Sequence, residues 1–145
     1  STLWAMIDVK TRQPLDLRDN VDYSRALLAI PCPIDKPAKI GRIEGVPCDS
    51  RRVRYSDIDF NQHTNSMKYI QWMLDALPLE KLTGCRMKRL DVNFVHETRY
   101  GQQLVVCCEC GTDRDCFEIR FEDGTAACKA AIRWETSDER SNQTA

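Results

Sequence analysis

The chain predicts an α+β domain in which one amphipathic helix packs against a meander of antiparallel strands. Three observations carry this expectation. Met67, Ile70, Met73/Leu74 and Leu77 recur at helical spacing, and Pro78 stops the run. Downstream, Leu90, Val92 and Phe94 alternate with Asp91 and Asn93, the period of a half-buried strand. Finally, Glu122-Asp123-Gly124-Thr125 joins two strand-like runs, and Asp-Gly between such runs is a hairpin signal.

Taken in order, residues 3–9 are apolar and strand-like, and residues 10–14 form a turn. Residues 17–48 are rich in Pro (31, 33, 37 and 47) and Asp, and read as a linker with one short helical stretch near residues 22–29. Residues 51–56 read as a short strand. The helix is expected over residues 65–77, about 20 Å at 1.5 Å per residue. Strands follow around residues 90–95, 104–110, 116–121 and 126–134, with a turn at 111–115. Residues 136–145 are polar and expected to fray.

Composition narrows the function classes. The 145 residues suffice for one domain with a true core. A net charge of -1 gives no global basic field and argues against a nucleic-acid partner. No apolar run approaches the roughly 18–20 residues that span a bilayer, and no secretory leader pattern opens the chain. Most of the eight cysteines lie in strand-like runs, where a free thiol behaves as a small apolar residue. Cys107-Cys108-x-Cys110 lacks the Cys-x-x-Cys spacing and the His pair of a zinc site. A reducing cytoplasm is the expected compartment.

The chemistry concentrates at Asp59-x-Asn61-x-His63, which runs directly into the helix. Free N–H groups and the macrodipole at a helix N-terminus favour developing negative charge. An imidazole with an ordinary pKa of about 6.5 moves protons at neutral pH. A neutral amide at Asn61 can bond the imidazole or a substrate carbonyl. Asp59 can fix the cluster or serve the turn alone. In an extended loop, two-residue spacing would put all three side chains on one side. Backbone N–H groups at residues 64–66 are the expected oxyanion donors.

This segment, Asp59, Asn61, His63 and Asn65, then Lys68-Tyr69-Ile70-Gln71-Trp72 and Asp75, resembles the acyl-ACP thioesterases. The resemblance implies a hotdog fold, an antiparallel sheet wrapped around one long central helix. It also implies that residues 1–16 are the terminal strand of a preceding hotdog domain, residues 17–48 an inter-domain linker, residues 49–136 the C-terminal hotdog domain and residues 137–145 a tail. The activity implied is hydrolysis of acyl-ACP thioesters, with acyl carrier protein as partner and no metal or organic cofactor. Pairing with a second hotdog domain or with another copy is expected.

By the same resemblance, Phe94-Val95-His96-Glu97-Thr98 aligns with a family stretch that ends in Glu-Cys in plant members. Glu97 matches the Glu, and Thr98 stands where those enzymes carry the Cys. A Thr hydroxyl with no dedicated base is a poor nucleophile, so water attack is expected, with Glu97 and His63 as base and Asn61 orienting. Thr98 is then a supporting residue, and His96 is structural. Arg51, Arg52, Arg54, Lys81, Arg86, Lys88 and Arg89 are candidates for an acidic carrier protein or ordinary solvated positions. Competing readings are an acyl-CoA thioesterase on the same scaffold, a hotdog dehydratase, or a non-catalytic fragment that binds an acyl group or partner.

Overall fold

The computed structural model describes residues 2, 5–11, 13–20, 22 and 30–135. The chain divides into two compact units, residues 1–37 and 38–145. In the first, β1 (Met6–Ile7) pairs antiparallel with β2 (Pro14–Leu15), and a four-residue helix α1 (Leu17–Asn20) follows. The turn between the strands is tied by Asp8, whose Oδ1 accepts the N–H groups of Lys10 and Thr11 at 2.9 and 2.6 Å. Residues 23–29 of the helical stretch expected near 22–29, and the tail at 136–145, lie outside the described residues.

The second unit carries β3 (Val46–Arg52), α2 (Ser66–Asp75), α3 (Leu79–Gly84), β4 (Met87–Phe94), β5 (Gln103–Cys110), β6 (Arg114–Phe121) and β7 (Ala126–Trp134). The strands form a five-stranded antiparallel sheet in the order β3-β5-β6-β7-β4. Alternation along each strand selects the buried face. Leu104 and Val106 of β5, Phe117 and Ile119 of β6, and Cys128, Ala130 and Ile132 of β7 form one core with Tyr69, Trp72 and Met73 of α2. The β6–β7 hairpin turns at Gly124, whose φ of +83° suits a residue without a Cβ.

The helix differs from its expected form. It is shorter, about 15 Å at 1.5 Å per residue, and Asn65 caps it by accepting the Met67 N–H at 2.9 Å. Its buried stripe is Tyr69, Trp72, Met73, continued by Leu77, whereas Met67 is 63% exposed. Two stripes at i, i+3, i+4 coexist in this sequence. The aromatic one wins because it buries more surface, and its rings pack edge-to-face: Tyr69 lies 5.7 Å from Trp72 and 5.8 Å from Phe94. The stop at Pro78 begins α3, a helix the sequence reading did not anticipate. Lys81 anchors it to the fully buried Asp115, with an Nζ–Oδ1 distance of 2.7 Å.

The domain also starts earlier than expected. Residues 38–48 fall in the stretch whose sequence reads as linker, yet β3 begins at Val46 and residues 38–43 are strapped across the sheet face opposite α2. Ile40 and Ile43 are buried there. The strap is clasped by side chains rather than by a backbone ladder. Asp91 accepts the Ala38 N–H at 3.0 Å, and Asn93 accepts the Ile40 N–H at 2.8 Å. Glu118 accepts the Ile43 N–H at 3.4 Å, and Arg120 and Lys129 donate to the Ile43 and Gly41 carbonyls at 2.8 and 3.0 Å. Gly45 then passes so close to β5 that a Cβ would sit 2.8 Å from the Cys108 backbone.

Candidate active site

Residues 59–63 form a tight turn, not an extended loop. The Asp59 N–H donates to the His63 carbonyl at 2.8 Å, and the Gln62 N–H donates to the Asp59 carbonyl at 3.0 Å. Gln62 takes a φ of +64°, in the left-handed region. The Asp59 carboxylate faces its own turn and accepts the N–H groups of Asn61 at 2.9 Å and His63 at 3.3 Å. An Asx residue stabilises such a turn by this means. Asp59 thus shapes the loop, while Asn61 and His63 are presented together. The backbone, not side-chain alternation, brings them together.

A second segment meets this turn. His63 bridges to Arg99 and Ile58 to Thr64. These contacts bring Glu97 to His63, with Nε2 3.3 Å from Oε2. Asn61, Gln62 and His63, with Ile58, Arg99 and Tyr100, line a cavity of about 390 Å³. The Asn61 side chain makes no hydrogen bond among the described residues, so its amide is available to a molecule in the cavity. The pair of an imidazole with a carboxylate can take a proton from water and return it to a leaving group.

Thr98 does not reach the cavity. It is 0% exposed, and its hydroxyl lies 2.6 Å from the Thr64 hydroxyl and 2.7 Å from that of Tyr69. Burial pushes the Tyr69 phenol above its ordinary value of 10.0, even though its contact with Thr98 favours the ionised form. His96 is exposed and bonds through Nδ1 to the Ala126 carbonyl at 2.8 Å, a structural position.

Two expectations need correction. Of the expected oxyanion donors at residues 64–66, Thr64 and Asn65 are excluded because their N–H groups bond the Thr98 and Asp57 carbonyls at 2.8 Å each, which leaves Ser66 of the three. Among the basic residues, Lys81 is bound to Asp115, and Arg89 clasps Asp91 through two contacts of 2.7 and 2.9 Å. Arg51 lies against Asp49 at 2.6 Å and Asp75 at 3.4 Å. Arg86 sits 3.7 Å from Glu135. Arg52, Arg54 and Lys88 are exposed, and Arg86 stays largely so despite its contact with Glu135.

All eight cysteines are unpaired thiols. Burial pushes Cys108 and Cys110 up to about 11 and Cys128 up to about 12, so these thiols are held protonated at neutral pH. Among the described residues, no group of His, Cys, Asp and Glu is arranged to hold a metal ion, and no helix is long and apolar enough to cross a membrane.

Sequence reasoning missed Gln62, Arg99 and Tyr100 as cavity residues and Tyr69 as a buried polar partner. Arg99 and Tyr100 directly follow Glu97 and Thr98, so proximity in the chain was an available signal. The left-handed turn at Gln62 had none.

The architecture is that of a hotdog-fold protein. A solved acyl-ACP thioesterase from Bacteroides thetaiotaomicron superposes with a TM-score of 0.79 at 29% identity, covering 89% of this chain and 53% of that one. Within that fold, this chain belongs to the acyl-ACP thioesterase C-terminal domain family, whose model matches residues 44–136. Curated relatives agree. An acyl-[acyl-carrier-protein] hydrolase of Cuphea viscosissima, a chloroplastic protein, is 28% identical over 98% of this chain. A chloroplastic palmitoyl-acyl carrier protein thioesterase of Arabidopsis thaliana is 25% identical over 92%. The chain spans 37% of the length of each.

Proposed function

We propose that this chain supplies the hydrolytic site of an acyl-ACP thioesterase, which releases fatty acids from acyl carrier protein. The single observation that carries the reading is the His63–Glu97 pair, 3.3 Å apart at a cavity that Asn61 also lines. His63, supported by Glu97, takes a proton from water as its oxygen attacks the thioester carbonyl carbon. The Asn61 amide donates to the developing oxyanion, which suits an amide with no protein partner. When the intermediate collapses, the C–S bond breaks and the proton passes from His63 to the departing thiolate. The products are a free fatty acid and the carrier thiol. Thr98 takes no part in bond making, since a fully buried hydroxyl cannot meet the carbonyl.

Of the six cavity-lining residues only Ile58 is aliphatic, so the cavity suits the reacting group better than a long acyl tail. Tyr55, Phe60, Met67, Phe94 and Tyr100 are exposed at 82, 93, 63, 54 and 67% on or beside the site segments. In this reading a second hotdog unit, from the same protein or another copy, covers them and completes the tail pocket. The compartment is a reducing one, in keeping with the free thiols.

The test is thioester hydrolysis by the protein that carries this chain, with acyl carrier protein and CoA substrates compared. His63→Ala, Asn61→Ala and Glu97→Gln should each lower kcat/KM by about 10²–10⁴-fold without unfolding. Near-native turnover by His63→Ala would reject the site. Equal or better turnover of acyl-CoA would move the substrate from carrier protein to CoA.

A further inference from the structure

We propose that the buried hydroxyl network of Tyr69, Thr98 and Thr64 positions His63 against Glu97, making Tyr69 a positioning residue for the hydrolysis. The inference rests on the reading of His63 and Glu97 given above and adds what holds them in register.

Neither side chain of the pair is fixed by burial: His63 is 25% and Glu97 46% exposed. Their separation is therefore set by where the backbone places residues 63 and 97. Thr64 follows His63, and Thr98 follows Glu97, so a bond between the two threonines ties together the segments that carry the pair. The Thr64 N–H donates to the Thr98 carbonyl at 2.8 Å, and the Thr64 hydroxyl lies 3.2 Å from the same carbonyl. The Tyr69 hydroxyl, on the buried face of α2, accepts the Thr98 N–H at 3.2 Å and lies 2.7 Å from the Thr98 hydroxyl.

Only one assignment of protons uses every donor. Tyr69 O–H donates to Thr98 Oγ1, Thr98 O–H to Thr64 Oγ1, and Thr64 O–H to the Thr98 carbonyl. Burial keeps the Tyr69 phenol protonated, as the head of this chain requires. One side chain on α2 thus holds the Thr98 backbone N–H and starts the hydroxyl chain that ends on the Thr98 carbonyl. Its loss would orphan a buried N–H, and the 97–99 segment would have to move to satisfy it. Thr98 is 0% exposed. Its hydroxyl is directed inward and serves geometry instead of attack.

A purely structural role would lower stability without altering the pair, so the experiment reads the pair itself. The imidazole ¹⁵N resonances of His63 are recorded at one pH for the wild-type chain, Glu97→Gln, Tyr69→Phe, Thr98→Ser and Thr98→Val, with circular dichroism confirming the fold. Tyr69→Phe and Thr98→Val should move the Nε2 resonance toward its position in Glu97→Gln, and Thr98→Ser should leave it in place. In the protein that turns over thioester, Tyr69→Phe should lower kcat by about ten- to a hundredfold with KM held within about twofold. A folded Tyr69→Phe with the wild-type His63 resonance overturns the inference while sparing the proposed site. A Glu97→Gln variant with an unmoved His63 resonance overturns the pair and the inference together. If Tyr69→Phe does not fold, the contrast between Thr98→Ser and Thr98→Val decides: identical His63 resonances in the two overturn the proposal.

Discussion

Asp115 is fully buried and carries the partners that a buried carboxylate requires. It accepts from Lys81 Nζ at 2.7 Å, from the Trp134 indole N–H at 2.7 Å and from the Gly111 N–H at 3.0 Å. Lys81 also donates to the Gly111 carbonyl at 2.6 Å and sits 5.5 Å from the Trp134 ring centre. Removing one partner of such a pair strands the other charge, at a cost of about 3–5 kcal/mol. Asp115→Ala should therefore lower the unfolding free energy by roughly that amount, toward the lower end because Lys81 keeps 18% exposure and can turn to water. Asp115→Asn should cost less, since its amide oxygen can still accept the indole N–H. Urea titration of the three proteins checks this. Equal midpoints for Asp115→Ala and wild type would show that the network contributes nothing.

At the scale of elements, the strap over residues 38–43 is the one whose stability should respond to acid. Asp91 is held below its ordinary value of 3.8 chiefly by the Arg89 guanidinium. Burial pushes Glu118 upward, but Arg120, the Ile43 N–H and Lys129 together hold it below its ordinary value of 4.5. Both folded values are thus depressed, so their contribution is complete above about pH 4.5 and is lost as pH falls through the still lower folded values. Amide hydrogen exchange should show residues 38–43 losing protection below about pH 4 before β5, β6 and β7 do, once intrinsic exchange is corrected for. Uniform loss across strap and sheet would mean that the clasp is not acid-sensitive. The strap depends on side chains of β4, β6 and β7 reaching over one sheet face, whereas α2 covers the other with apolar surface.

For the whole molecule, the exposed apolar residues beside the site set the expectation. Phe60 at 93% and Tyr55 at 82% exposure, with Met67 and Tyr100, are surfaces that water disfavours and a partner would cover. The isolated chain should self-associate or hydrolyse long-chain thioesters far more slowly than a protein with two hotdog units. Light scattering together with a long-chain acyl assay tests both at once. A stable monomer with an ordinary enzymatic rate, about 1–10³ per second, would show that one unit makes a complete tail pocket.

Glu97 joined the candidate site only through the family resemblance, whereas the sequence alone determined the α+β class, the order of α2 and the strands in the second unit, the hairpin at Gly124 and the placing of Asn61 with His63. These follow from local causes: period-two alternation, a Pro stop, an Asp-Gly turn and a dense run of polar residues ahead of a helix. Tertiary structure decided the rest. Which of two i, i+3, i+4 stripes on α2 is buried depended on what it packs against, a buried Thr98 beyond β4 for the Tyr69 hydroxyl and Phe94 of β4 for its ring. Residues 38–45 read as linker because no local pattern reveals side chains 50 or more residues away clasping their backbone. The inward direction of Thr98 and the engagement of the Thr64 and Asn65 N–H groups were equally hidden, since both are set by contacts between segments distant in sequence. Periodicity and turn chemistry are written within a few residues, but the partner of a buried polar group is known only when the fold brings it within hydrogen-bond distance.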